Sequence, residues 1–517
     1  MFSECYKNIP IASLFSQTRT NNMGFSKTSL PLFLFFILFS VSYATSRIIN
    51  HARFPSTTFS PNQQAEKLIR SFNLFPKQSV NVIHGDHSLD HFLPGKIVEK
   101  KFSFFGDSGG PSIEDLGHHA GYYSLPRSNS SRLFYFFFES RKNNKDAPVV
   151  IWLTGGPGCS SELALFYENG PFKIANDLSL AWNDFGWDQA SNILFVDQPI
   201  GTGFSYTSNE NDIPHDETGV SNDLYDFLQE FFKQHSEFVK NEFYITGESY
   251  AGHYVPALAS RVHQGNKANQ GIKINLKGFA IGNGLTNPEI QYPAYTQFAL
   301  DNKLITKEEQ AVINKLIPQC VETTKSCESK GGESCLSALS QCQEIFTDIL
   351  SYADDNINYY DIRKKCEGPL CYDFSNVERL MNQKTVKDAL GVGDIEFVSC
   401  SLDVHNAMAK DFMQNFEVDI PALLEDGIKV LIYAGEFDLI CNWLGNSNWV
   451  HAMGWSGQKQ FAASKTVQFV VDGKQAGLLN SYGPLSFLKV NGAGHLVPMD
   501  QPKAALQMLA NWMHGNL

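Results

Sequence analysis

The sequence predicts an α/β protein, with a mostly parallel central sheet, helices on both faces and a helical, disulfide-rich cap insertion. Three observations carry this prediction. Apolar runs with little polar alternation, such as Pro148-Val-Val-Ile-Trp-Leu153 and Asn192-Ile-Leu-Phe-Val196, have the pattern of strands buried on both faces. Strands and helical stretches then alternate at the spacing of crossover units. That alternation stops between about Leu285 and Asp426, where seven cysteines gather, and resumes at Lys429-Val-Leu-Ile-Tyr-Ala-Gly435.

A chain of 517 residues, 43% hydrophobic and 18% charged, is long enough for a large core and too apolar to be disordered. Its net charge of −13 argues against sequence-independent nucleic-acid binding, which needs Lys and Arg to neutralise phosphates. Cys320, Cys327, Cys335 and Cys342 are evenly spaced rather than in CxxC pairs, and there is no HExxH. No metal and no cofactor is therefore expected.

At the N-terminus, Leu30 to Val41 is an apolar run too short to span a bilayer. Lys27 precedes it and Ser42-Tyr43-Ala44 supplies the small residues of a cleavage site, so residues 1–44 read as a secretory signal. The long leader leaves open whether synthesis starts at Met1 or Met23. Residues 45–99, polar and Pro-containing, read as a propeptide or N-terminal extension. The first part of the core is expected over residues 100–284, the insertion over 285–426 and the second part of the core over 427–517. Secretory entry favours disulfides; it also suits the sequon at Asn129. The destination is a vacuole- or lysosome-like compartment or the outside, with no stable membrane insertion after cleavage.

Within the core, strand candidates start after Gly121, beginning with the aromatic run Arg132 to Ser140. Phe134 to Phe138 reads as a buried strand. The run 148–153 ends in the glycine turn Thr154-Gly-Gly-Pro-Gly-Cys-Ser-Ser161, and a helix is expected over Glu217 to Gln234. The strand Phe243 to Thr246 then runs into Gly247-Glu-Ser-Tyr-Ala-Gly252 and a helix through Leu258 and Val262. This is the grammar of a nucleophile elbow, with Ser249 at the turn. Leu276 to Ile281, Lys429 to Ala434 and Phe487 to Val490 are further strands, and a closing helix covers Pro502 to Trp512. Asp438 and His495 stand just beyond two of these strand ends, where ligands bind in such sheets. The order Ser, Asp, His is that of the α/β-hydrolases.

The elbow, Trp152-Leu-Thr-Gly-Gly-Pro-Gly-Cys-Ser-Ser161, Asn192-Ile-Leu-Phe-Val-Asp-Gln-Pro199 and Gly494-His-Leu-Val-Pro-Met-Asp-Gln-Pro502 together resemble the serine carboxypeptidases, from about Tyr122 to Gly515. Asp361-Ile-Arg-Lys-Lys-Cys-Glu-Gly368 and Ile440-Cys-Asn-Trp-Leu-Gly445 are more similar to the carboxypeptidase Y branch than to the two-chain plant enzymes. The resemblance implies release of C-terminal amino acids from peptides and proteins at acid pH, by a monomer or homodimer. It implies Ser249 as nucleophile, His495 as base, Asp438 as its orienting acid, and the N–H groups of Gly156 and Tyr250 as the oxyanion hole. For the substrate carboxylate it implies Glu248 and Glu168, with Thr154, Gly155 and Trp152 around them; family members commonly carry Asn where this chain has Thr154. It pairs Cys159 with Cys400, Cys320 with Cys342, Cys327 with Cys335 and Cys366 with Cys371. Cys441 is left as a free thiol near the site, open to thiol reagents. The rival reading is an acyltransferase that takes acyl groups from sugar esters; those relatives resemble G-D-S-Y-S-G at the elbow, where this chain has Glu248 and Ala251.

Overall fold

Six strands with nearly every side chain buried run parallel through the centre of one 11-stranded sheet. The computed structural model describes residues 98–100, by backbone only, and 118–517 except 129, 143–145, 355 and 369. These all fall in one compact unit, Pro61–Leu517. The expected signal, all but the last two residues of the expected extension, and Asn129 lie outside the described residues.

The strands are β1 (Val98–Lys100), β2 (His118–Ser124), β3 (Arg132–Phe138), β4 (Val149–Leu153), β5 (Phe172–Ile174), β6 (Leu180–Trp182), β7 (Asn192–Val196), β8 (Phe243–Glu248), β9 (Leu276–Gly282), β10 (Lys429–Gly435), β11 (Val467–Val471), β12 (Lys474–Tyr482) and β13 (Leu485–Val490). Their order in the sheet is β1-β2-β3-β7-β4-β8-β9-β10-β13-β12-β11. Neighbours from β7 through β13 pair in parallel; the strands on either side of that block pair antiparallel. β5 and β6 form a separate small hairpin. The fold is that of the α/β-hydrolases.

Side-chain alternation explains how the aromatic strand β3 is covered. Tyr135 and Phe137 pack on Phe227 and Phe231 of the helix Glu217–Gln234, while Phe134 meets Phe204 and Phe138 meets Phe172 on the opposite face. Both faces are sealed, and each such ring contributes about 1.5–3 kcal/mol on full burial. The helix itself starts where expected, with Asp216 capping the N–H of Gly219 at 2.8 Å, and buries Val220, Leu224, Phe227, Leu228 and Phe231 at helical spacing.

Several strands escape the sequence reading, the short β1, β5 and β6 among them. β2 begins at His118 rather than after Gly121, and the hairpin β11–β12 is absent from it altogether. That hairpin turns on Asp472-Gly473, both at positive φ (50° and 72°), which is the chemistry of a two-residue turn matched to strand twist. The core sheet also reaches back to Val98, slightly before the expected boundary at residue 100.

Between β9 and β10 the described residues hold helices and no strand, as expected of the insertion. Cys320–Cys342 and Cys327–Cys335 nest between its helices Ile317–Lys330 and Glu333–Tyr352. Cys366–Cys371 closes a short loop. Cys159–Cys400 joins residues 241 apart and ties the glycine turn to the insertion's end, beside the backbone bonds Ser160 N–H to Ser399 O and Ser401 N–H to Gly158 O. Chain entropy gives that bond up to about 5 kcal/mol, against about 2 kcal/mol for the Cys366 loop. The longest link is thus the one that holds the insertion to the core.

Candidate active site

Ser249 follows the last residue of β8 directly and lies at φ 68°, and the helix Ala251–Lys267 starts two residues later. A left-handed serine costs on the order of 1–3 kcal/mol and persists only where its surroundings over-determine it. Here Ser249 N–H donates to Gly282 O at 3.0 Å, and its carbonyl accepts from Leu285 N–H at 3.0 Å and Gly252 N–H at 2.9 Å. The small residues flanking it are sterically required. A Cβ on Gly247 would fall 2.6 Å from Leu153 O and 2.7 Å from the Ala251 methyl, and one on Gly252 would fall 2.3 Å from Leu285 O.

His495 and Asp438 meet beyond the ends of the neighbouring strands β13 and β10. Nδ1 of His495 lies 2.8 Å from Asp438 Oδ2, and both side chains are buried. With Asp438 as a carboxylate, Nδ1 is the protonated nitrogen and Nε2 is left as the acceptor; Nε2 is buried and has no hydrogen-bond partner. The Ser249 hydroxyl is not bonded to it, a spacing common in free enzymes that tightens when substrate binds.

Sequence reasoning missed the supports of this pair. Asn283 Nδ2 donates to Asp438 Oδ2 at 2.7 Å, and its Oδ1 accepts from Gly435 N–H at 3.1 Å. Its place in the Gly282-Asn-Gly284 stretch at the end of β9 carried no local signal of that contact. The His495 loop is clamped by the insertion: His495 N–H donates to Tyr360 O at 2.7 Å, Arg363 Nη1 to Gly492 O at 3.1 Å, and Asp500 both accepts from Gly494 N–H at 2.8 Å and pairs with Lys364 at 2.7 Å.

The glycine turn packs directly on the elbow. A Cβ on Gly155 would fall 2.4 Å from Tyr250 N and 2.7 Å from Glu248 O, so only glycine permits the approach. Gly156 lies at φ 114°, and a Cβ there would fall 2.7 Å from Cys159 N. Beneath the turn, Ser161 Oγ donates to Val196 O at 2.8 Å and Ser161 N–H to Asp197 at 3.3 Å. Glu162 and Asp197 form a buried carboxyl pair there, both pushed up by burial.

Glu248 and Glu168 form a second pair. Both are buried, their carboxyls hydrogen-bond each other, and one oxygen of each has no partner. Burial raises Glu168 to about 8, and burial together with the neighbouring Glu168 and Asp438 charges raises Glu248 well above the carboxylate range. Glu168 is therefore not a surface acid, although it ends a helix. Thr154 is half-buried and its Oγ1 accepts from Trp152 Nε1 at 3.0 Å; Trp152 is fully buried.

Cys441 is unpaired and buried, and its backbone N–H donates to Asp438 Oδ2 at 3.2 Å. Burial first, then the Asp438 and Glu248 charges, pushes its thiol well up. The reactive thiol expected from the sequence is thus disfavoured as thiolate. The four disulfides pair as expected. Among the described residues, no helix is long and apolar enough to cross a membrane.

Residues 110–515 match the family model for serine carboxypeptidases. Serine carboxypeptidase-like 48 of Arabidopsis thaliana is 61% identical over 504 residues, covering 95% of this chain and 98% of that protein. Serine carboxypeptidase 3 of Oryza sativa subsp. japonica is 62% identical over 481 residues, covering 93% and 95%. Among solved structures, a prohormone-processing carboxypeptidase from Saccharomyces cerevisiae superposes with a TM-score of 0.69 at 26% identity, covering 82% of this chain and 92% of that one. The chain belongs to the serine carboxypeptidase family and is a serine-type carboxypeptidase.

Proposed function

We propose that this chain releases C-terminal amino acids at acid pH through an acyl-enzyme on Ser249. His495 Nε2 takes the serine proton and returns it to the leaving amine, while Asp438 holds the ring by its Nδ1–H. The N–H groups of Gly156 and Tyr250 receive the oxyanion; their backbones are brought together at the Gly155 contact, which supports the assignment. Water then enters by the same route in reverse.

The observation that carries the exopeptidase reading is the buried pair of Glu168 and Glu248, the latter one residue before the nucleophile. A buried acid kept neutral can donate a hydrogen bond to a substrate carboxylate, a role an ionised acid cannot fill. A sugar-ester acyltransferase needs no such donor. The deciding assay is release of the C-terminal amino acid from a blocked dipeptide at about pH 5, with Ser249→Ala alongside. Equal rates in both proteins defeat the mechanism; acyl transfer to an alcohol without hydrolysis favours the rival.

The same reading includes synthesis as a precursor, with residues 1–44 as signal, 45–99 as propeptide and the core divided by the insertion at 285–426. Glycosylation at Asn129 and delivery to an acidic vacuole-like compartment or the outside complete it, and an acidic destination suits the neutral acid pair.

A further inference from the structure

The first turn of the elbow helix is gripped from the insertion. Asp411 Oδ2 accepts the Tyr250 hydroxyl at 2.7 Å and lies 2.9 Å from His253 Nδ1. Its Oδ1 accepts the backbone N–H of Glu217 at 3.2 Å. One carboxylate therefore joins the start of Ala251–Lys267 to the start of Glu217–Gln234, and all four residues are buried. Rings close the space around it: Tyr250 lies 4.8 Å from Phe412 and 5.2 Å from Tyr254, and His253 lies 4.6 Å from Phe416. With its tip bonded and its ring enclosed, Tyr250 transmits the position of Asp411 to its own backbone.

Packing alone gives no reason for a carboxylate here, because a buried acid costs free energy until its lone pairs are filled, and apolar residues of like volume often serve stability better. Specificity of position does give a reason. Ser249, immediately before Tyr250, holds a strained backbone, and the Tyr250 N–H is the group assigned to the oxyanion. Glu217, His253 and Asp411 also bring metal-ligand atoms within 4.8 Å of one another. The Asp411 oxygens accept from Tyr250, His253 and the Glu217 N–H, whereas both Glu217 carboxyl oxygens and His253 Nε2 are buried without a hydrogen-bond partner, so hydrogen bonding accounts for Asp411 and not for the Glu217 side chain.

We propose that Asp411 is a positioning residue: by holding the Tyr250 hydroxyl it fixes the Tyr250 backbone N–H where the oxyanion develops. This rests on the reading of Ser249 as nucleophile and of the Tyr250 N–H as oxyanion donor. Losing an oxyanion donor outright costs about 10²–10³-fold in rate, and loosening one costs part of that.

The test uses full-length Asp411→Asn, Tyr250→Phe and the double variant, each titrated first with a fluorophosphonate that labels reactive serine. Per titrated site, each single variant is expected to lower kcat about tenfold with KM within twofold, and to weaken a peptide aldehyde, which forms a tetrahedral adduct, by the same factor. The double variant is expected to be no slower than the slower single one. Unchanged kcat per titrated site in Tyr250→Phe, or a raised KM with kcat intact, overturns the inference. If Asp411→Asn does not fold, Tyr250→Phe decides alone. A wild-type protein not labelled at Ser249 overturns the underlying mechanism and this inference with it; a labelled wild type whose variants match it overturns the inference only.

Discussion

Replacing Glu168 by glutamine tests whether the buried acid pair reads the substrate carboxylate. In the wild type, burial lifts Glu168 to about 8, so it is neutral at acid pH and becomes charged as pH rises through that value. A second negative charge then faces the substrate carboxylate. At an effective dielectric of ~20 and ~6 Å, two such charges repel by about 3 kcal/mol, and a tenfold change in KM is about 1.4 kcal/mol. Because Glu168 goes from about one-tenth to about nine-tenths charged across that range, wild-type KM for a blocked dipeptide is expected to rise by up to about tenfold between pH 7 and 9. Glu168→Gln keeps a donor beside Glu248 and removes the titration, so its KM is expected to stay flat over that interval and to lie within a few-fold of wild type at pH 5. The methyl ester of the same dipeptide, lacking the carboxylate, shows no alkaline rise with either protein. Steady-state KM from pH 4 to 9 on both substrates checks this. If the free acid and the ester lose affinity together, or the variant keeps the wild-type alkaline limb, the pair does not read the carboxylate.

Further expectations follow from the same groups. Glu168, Glu248, Glu162, Asp197 and Glu217 all have pKa values raised by burial. Their folded values exceed their unfolded ones, so this contribution is complete below about pH 4.5 and is lost as pH rises through the folded values, at about 1.4 kcal/mol per pH unit for each group in transition. The urea midpoint should be higher at pH 5 than at pH 8, and a midpoint that rises toward pH 8 contradicts the assignment. Asn283→Ala removes a charge-assisted bond to Asp438 and should lower kcat about 10- to 100-fold with little change in KM, measured per titrated serine. Cys441 should react with iodoacetamide at pH 7 far more slowly than a free cysteine, and peptide mapping should find it unpaired; alkylation at the rate of an exposed thiol would contradict its burial.

The parallel centre of the sheet was legible because burial on both faces leaves no alternation to confuse with a helix, as in Val149–Leu153 and Asn192–Val196. The strands that were missed lack that signature. β11 exposes Val467 and Val470 and buries Phe469, so its apolar residues do not mark one face, and β12 is polar over much of its length. β2 opens with two histidines, which read as polar, yet His118 is buried against Phe138 at a centroid distance of 5.0 Å, and burial lowers its pKa to about 4. In each case tertiary packing assigns the element, and local composition points elsewhere.

At the site the division falls along a different line. Ser249, Asp438 and His495 were readable because each stands just past a strand, and strand ends converge in a parallel sheet whatever the side chains do. Asn283 and Asp411 were not, because each acts through one contact across more than 150 residues, and nothing local in Gly-Asn-Gly or Lys-Asp-Phe announces a distant partner. Glu248 belongs to both groups. Its place before Ser249 is set by the backbone of the elbow, and on the proposed mechanism that place borders the reacting carbonyl; its raised pKa depends on burial and on Glu168, 80 residues earlier and at the end of another helix. The elbow thus dictates that this position bears on the substrate, and the partner brought by the fold dictates how. An aspartate in the same place, on a side chain one methylene shorter, would have to reach Glu168 from farther away, which gives a physical reason for glutamate where two buried carboxyls meet.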